Sequence, residues 1–289
     1  MAIYPLVVHA QPDLTDACMV LGFTGWMDGG DVSTGTLEFL RDATGAQRFA
    51  EIEPDDFYLY HFPASMEVAS LLRPHGRIDD GLVRSFKLPS NTFYFDKGNR
   101  LVLFSGHEPN IQWRRFSECV FAAAEMAGVS MIYFVGSVGG VVPHTREPRL
   151  FSSVSSERIK QQMQARGLRF TNYEGPLSLI TYMMTRAEQR GMGMATIVAE
   201  IPAYVQGRNP KSIAAVLRQI GAILDLSFDL DPLRQLTEQW ESRLNEAVKK
   251  RSELASHIQK LEEDYDNDVF DTQMGDLKSW LQDQGIRVD

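Results

Sequence analysis

Residues 101–140 read LVLFSGHEPNIQWRRFSECVFAAAEMAGVSMIYFVGSVGG. Leu101-Val102-Leu103-Phe104 and Met131-Ile132-Tyr133-Phe134-Val135 are apolar at consecutive positions, so both faces of each strand avoid water. Between them the pattern predicts a helix from about Gln112 to Met126, ended by Gly128. Strands buried on both faces and alternating with helices require a parallel sheet with helices on either side. The first strand is expected to turn at Gly106-His107-Glu108-Pro109-Asn110, and the second to break at Gly136-Ser137-Val138-Gly139-Gly140.

The pattern repeats outward. Ile3 to His9 and Ala17 to Phe23 read as strands. The second ends in the glycine-rich turn Gly22 to Gly30, before a helix from about Val32 to Ala43 that stops near Gly45. Phe49 to Ile52 and Phe57 to Tyr60 are read as short strands, and residues 63–99 as an irregular excursion with a hairpin of Val83 to Leu88 against Thr92 to Asp96. Later come a short strand within Arg149 to Ser156, a helix from Glu157 to Arg166, and a helix running to about Arg190. A strand from Met194 to Ala199 follows, then a helix from Pro210 to Leu224 with proline in its first turn. The expected fold is α/β, a mixed and mostly parallel sheet flanked by helices.

Composition changes near Asp229, which divides the chain into residues 1–228 and a charged helical tail, 229–289. Trp240, Leu244, Ala247, Arg251, Leu254, Ile258, Leu261 and Tyr265 recur three and four apart, a heptad seam with one charged interruption. A polar break at Asp264 to Asp268 is expected to precede a last short helix carrying Met274, Leu277, Trp280 and Leu281. The seam needs a partner surface: the body of the protein, as a helical hairpin, or another subunit.

Composition excludes several classes. A net charge of −9 with no basic cluster beyond Lys249-Lys250-Arg251 argues against nucleic-acid binding. No apolar run reaches the ~20 residues of a membrane helix and no leader pattern opens the chain, so a cytoplasmic protein is expected. Cys18 and Cys119 read as buried free thiols. No i,i+4 histidine pair occurs, and neither a metal nor a cofactor is expected.

Ligands of open α/β sheets bind beyond the carboxyl ends of the strands. The turns expected there offer backbone amides at Gly25, Gly106, Gly139 and Gly140, and the carboxylate of Asp28. No Gly-Lys-Ser/Thr follows any of them, and the first strand lacks Gly-x-Gly-x-x-Gly. His107, Glu108, His144 and Glu200 form an acid–base set if their loops converge; otherwise they bond locally. Ser137 lies in Gly-Ser-Val-Gly-Gly, which lacks the spacing of a nucleophile elbow.

Four further segments join these turns: Gly106 to Phe116, Val142-Pro143-His144-Thr145-Arg146, Tyr173 to Ser178, and Glu200-Ile201-Pro202-Ala203-Tyr204. Together with Gly22 to Asp28 they resemble the bacterial branch of the PAC2 family, over roughly Ile3 to Leu226. The family is named for proteasome assembly chaperones. The resemblance implies a phosphorylase/hydrolase-like fold and a homo-oligomer, with a trimer as one candidate, and it carries no catalytic triad. Chaperone members that dock on proteasome rings can end in a hydrophobic residue, tyrosine and one more; Ile286-Arg287-Val288-Asp289 departs from that. The expected function is a non-enzymatic, oligomeric assembly-chaperone-like or scaffold protein, with subunits of a larger complex as partners. The alternative is an enzyme or sensor for a nucleoside-like or phosphorylated ligand in the strand-end crevice.

Overall fold

The computed structural model describes residues 5–61, 63, 65–70 and 72–283, with side chains through residue 268. In chain order it contains β1 (Leu6–Val8), β2 (Ala17–Thr24), α1 (Val32–Thr44), β3 (Gln47–Ile52), α2 (Met66–Ser70), β4 (His75–Asp79), β5 (Leu82–Lys87) and β6 (Thr92–Asp96). Next come β7 (Leu101–His107), α3 (Trp113–Met126), β8 (Val129–Gly140), β9 (Leu150–Ser152), α4 (Glu157–Gln164), β10 (Arg169–Phe170) and α5 (Leu179–Ala187). The chain continues through β11 (Gly193–Pro202), α6 (Pro210–Leu224), α7 (Asp231–Lys249) and α8 (Ser252–Asp283).

One sheet holds nine of these strands in the order β1-β3-β6-β7-β2-β8-β11-β9-β10. Its centre, β7-β2-β8-β11, is parallel throughout, and antiparallel strands extend it on both sides. Successive residues of the central strands alternate between two cores, as the two-residue period of a strand demands. Met19, Leu21, Phe104, Ile132 and Phe134 pack with α3 and α5. Val20, Leu103, Tyr133, Val135 and Ile197 pack with α1 and α6. The helices after β2 and β7 therefore leave neighbouring strands for opposite faces, and that divergence opens the crevice in which strand-end ligands sit.

Four expectations are corrected. β8 does not break at Gly136; it continues to Gly140, paired residue for residue with Val198–Pro202 of β11. A Cβ on Gly136 would lie 2.7 Å from the Phe134 ring and 2.9 Å from the Met27 carbonyl, so glycine serves close packing here and not a turn. Phe57 to Tyr60 is not a strand: the Phe57 amide bonds to Pro54, and its carbonyl accepts from the Asn110 and Ile111 amides. The hairpin is β4 with β5, turned at Asp80 and Gly81, while Thr92–Asp96 joins the main sheet between β3 and β7. Both turn residues have positive φ (48° and 72°), the geometry for which Asp-Gly is preferred. Of the first expected strand, Leu6–Val8 is seen, and Ile3 lies outside the described residues.

The fourth correction concerns the C-terminal helices. The seam is interrupted at Lys250 and Arg251, where α7 ends, and α8 runs unbroken through Asp264 to Asp268. That acidic stretch does not break the helix, because Arg146 takes Asp266, and Arg149 and Arg169 take Asp268. The side chains of Met274, Leu277, Trp280 and Leu281 and residues 286–289 lie outside the described residues. Among the described residues no helix is long and apolar enough to cross a membrane.

Tight contact between β2 and α1 sets the position of the first glycine turn. A Cβ on Gly22 would lie 2.5 Å from Ser33 Oγ and 2.9 Å from Leu37 Cδ1. Gly22→Val is expected to lose about 2 kcal/mol or more through overpacking, measured as a lowered urea midpoint at unchanged m-value.

Candidate functional site

The turn after β2 is held by its neighbours from several sides. Ser137 N–H donates to the Met27 carbonyl (2.8 Å) and Ser137 Oγ to the Gly29 carbonyl (2.6 Å). Asn209 N–H donates to the Gly30 carbonyl (2.8 Å), and the Asn209 side chain accepts from Ser212 N–H at the start of α6. Asp28 accepts from Thr34 N–H (3.0 Å) and Thr34 Oγ1 (2.8 Å) in the first turn of α1. Burial is the main cause that pushes the Asp28 carboxyl up to about 6, against the pull of these hydrogen bonds. Ser137 is buried, with its hydroxyl committed to the turn.

His107 and Glu108 sit at the end of β7, on the other side of the crevice. The His107 ring is packed edge-on to Tyr58, with Nδ1 3.4 Å from the Ser90 carbonyl. Its pKa is lowered, chiefly by burial. Gly106 leaves room for Asn91, whose Oδ1 accepts from His107 N–H (3.0 Å). Glu108 points toward the start of α5, where Oε1 accepts from Leu179 N–H (3.3 Å). A carboxylate at a helix N-terminus satisfies an otherwise orphaned amide. Gly25, at φ 142°, covers this carboxylate: a Cβ there would lie 3.2 Å from Glu108 Cβ.

His144, in the segment after β8, and Glu200, near the carboxyl end of β11, belong to a separate cluster. Glu200 Oε1 accepts from Val141 N–H (2.8 Å), and Oε2 pairs with Arg149 (3.1 Å), both side chains being largely buried. A Cβ on Gly140 would collide with the Glu200 side chain. Gly139, by contrast, faces Ala203 at ordinary contact distance. His144 is fully buried between Tyr204 and α7. Its Nε2 lies 3.1 Å from Asn245 Oδ1 and its Nδ1 2.8 Å from the Tyr204 hydroxyl. The amide oxygen can only accept, which places the ring proton on Nε2 and leaves Nδ1 to accept from Tyr204. Lys211 Nζ donates to the His144 carbonyl (3.1 Å) and to Glu241 of α7 (2.6 Å).

The expected acid–base set is therefore not assembled. Among the described residues no hydrogen bond or ion pair joins His107 or Glu108 to His144 or Glu200: β2 and β8 lie between β7 and β11, and His144 is turned toward α7. Gly136 to Gly140 run on as strand beside β11 and do not form an anion-binding turn, and the Ser137 amide is taken by the Met27 carbonyl. The cavity beside His144 measures about 10 Å³, the room of one water and far below that of a nucleoside. Among the described residues no group of three His, Cys, Asp or Glu side chains converges as metal ligands.

The comparisons with known proteins agree with this architecture. The family model described as PAC2 family matches residues 22–248. The chain belongs to the PAC2 family. It is similar in structure to a proteasome-assembly chaperone homologue of Mycobacterium tuberculosis, at 28% identity and TM-score 0.72, covering 83% of this chain and 99% of that one. A PAC2 family protein from Streptomyces avermitilis matches at 26% identity and TM-score 0.71, over 84% and 99%. An archaeal proteasome activator from Pyrococcus furiosus shares the fold at 20% identity and TM-score 0.64, over 84% and 97%. No curated protein sequence matches.

The PAC2 match reaches into α7. Trp240 of the predicted seam packs edge-on to His144, whereas the polar side chains that hold α7 and α8, Tyr204, Lys211, Arg149 and Asn245, were not singled out by sequence reasoning. One of them left a signal. Lys211 follows Asn209-Pro210 in the first turn of a helix, where a cation opposes the helix dipole; its partner Glu241 accounts for it. Arg146 also reaches α8, pairing with Glu262 (3.5 Å) and Asp266 (2.8 Å), and Arg149 stacks 4.3 Å over the Tyr265 ring.

Two pH effects of opposite sign follow. Asp28 has a folded pKa above its unfolded value, so it disfavours the folded state increasingly as pH rises from about 4 to 6. Asp28→Asn keeps the shape, and is expected to stabilise the protein by about 1 kcal/mol at pH 7.5 after allowance for partial exposure. That gain should shrink as pH approaches 4, read from urea midpoints across the range. The pKa of His144 is lowered, first by burial and also by Lys211, while Asn245, Glu241 and Glu262 pull it the other way. Its contribution to docking is complete above about pH 6.5, the unfolded value, and fades as pH falls below it. Amide exchange in α7, corrected for intrinsic rate, is expected to quicken between pH 7.5 and 5.5. This step should disappear in His144→Asn.

Proposed function

We propose that this chain is a non-enzymatic, homo-oligomeric protein of the cytoplasm that holds subunits of a larger complex while they assemble. One observation carries the reading: the side chains suited to chemistry are bonded within the fold, and large apolar side chains are left at the surface. Ser137, Glu108, His144 and Glu200 each have internal partners. Phe86 and Trp26, in contrast, are 65% and 61% exposed. Large contiguous apolar exposure marks interaction sites more often than catalytic ones. The Mycobacterium tuberculosis relative, itself a proteasome-assembly chaperone homologue, makes proteasome subunits the first clients to try. In this reading residues 1–228 form the α/β body and residues 229–289 an interaction element docked on it.

The test is to mix the full chain with unassembled proteasome α and β subunits of its own cell, and to follow complexes by native mass spectrometry. A stoichiometric complex with free subunits, released when the particle matures, is the expected result. Failure to bind any unassembled subunit, with assembly rate unchanged by the protein, would overturn the proteasome form of the reading.

A further inference from the structure

The β4–β5 ribbon belongs to neither core. None of its side chains enters the two apolar clusters that flank the main sheet. Its register shifts between Arg77 and Ile78, with Arg84 as the extra residue on β5. Strand alternation broken by one bulge brings Ile78, Val83 and Phe86 onto the same face. All three are about two-thirds exposed. A two-stranded ribbon is marginal in water unless its apolar face is covered.

A second apolar surface lies at the carboxyl ends of β2 and β8. Trp26, Val138, Val141, Tyr173 and Leu177 are all exposed there. Three contacts gather them at one end of the sheet: Met27 with Ser137, Gly25 over Glu108, and Glu108 with the start of α5. The ribbon leaves the body at the same end, since Leu59 bonds to Asn110 and Ser90 lies against His107. Within one chain it does not fold back over this rim, and both surfaces stay open.

We infer that the ribbon of one copy of this chain packs on the strand-end rim of a second copy. This rests on the homo-oligomeric part of the function proposed above. Charge supports a second copy as the occupant. From Arg73 to Leu88 the chain carries Arg73, Arg77, Arg84 and Lys87 against Asp79 and Asp80, whereas the whole chain has net charge −9. The rim presents Asp31 and Glu174, both exposed. Area supports it too. The ribbon face and the rim hold these eight large apolar side chains, each exposing on the order of 100 Å². With the usual polar share, such a contact comes to about 1,400 Å², within the range of a standard specific interface. Ribbon on rim joins unlike surfaces, so it closes as a reciprocal pair or as a ring.

The experiment is light scattering coupled to size exclusion on the full chain, without clients, at low and high salt. Wild type is expected to run as an oligomer, and Phe86→Asp, Val83→Asp and Trp26→Asp each as a monomer with unchanged circular dichroism. Asp31→Arg with Glu174→Arg is expected to weaken association at low salt, and adding Arg77→Glu and Arg84→Glu to restore it. A monomeric wild type would overturn the proposal, together with the homo-oligomeric part of the function above. An oligomer indifferent to the ribbon variants would overturn this contact alone, leaving homo-oligomerisation standing. Loss of association on ribbon but not rim substitution would also overturn it, because the ribbon would then be meeting another surface.

Discussion

The parallel ladder between β8 and β11 is the constraint on which the rest of the molecule depends. It pairs Gly193 through Pro202 with Met131 through Gly140 without interruption. Parallel pairs bury both faces, and here each face receives its own helices, α3 and α5 on one, α1 and α6 on the other. Because the ladder continues to Gly140, the Glu200 side chain lies directly against that glycine and accepts from Val141 N–H. The segment after β8 is thereby aimed at α7 and α8. A ladder ending at Val135 would have left a glycine loop at the crevice, free to bind an anion.

Docking of α7 and α8 on the body combines apolar and charged contacts. Leu233 and Ile258 are buried, and beside them Lys211 pairs with Glu241, His144 with Asn245, and Arg146, Arg149 and Arg169 with the acids of α8. The members differ in weight. Arg146 with Asp266 is solvent-facing and contributes little. Lys211 and Arg149 are largely buried, and removing one partner of such a pair leaves an uncompensated charge. Pairs of this kind add little net stability over an apolar contact, but they fix which face of each helix meets the body. Most of the heptad seam is used: Trp240, Leu244, Leu254, Ile258, Leu261 and Tyr265 turn inward to varying degrees, while Ala247 and Arg251 stay exposed at the α7–α8 junction.

The sheet's central strands and their covering helices were legible because their signal is local. Pro210 to Leu224 is a helix over the span that its spacing predicts, and the helix expected from Val32 to Ala43 runs one residue further, to Thr44. Misreadings arose where glycine or charge had a tertiary cause. Gly136 and Gly140 look like a turn until Met27 and Glu200 are seen packed against them. Asp264 to Asp268 looks like a helix break until arginines from elsewhere in the chain neutralise it. The ribbon's Asp80-Gly81 signal was present in the sequence, but the apolar run Thr92–Asp96 competed for the same partner, and only sheet register separates the two.

The candidate site shows the same limit from the side of chemistry. A histidine or serine at the end of an α/β strand has the same sequence appearance whether it faces a substrate or its own chain. Geometry decides between them. The Ser137 hydroxyl is spent on the part-buried Gly29 carbonyl, in a turn already crowded by Ile201. Glu108 is spent on an α5 amide that α/β enzymes commonly leave for a ligand anion. In this chain, then, the crevice inherent in the fold is filled from within. Outside it stand two apolar surfaces, the ribbon with more basic than acidic side chains and the rim with exposed acids.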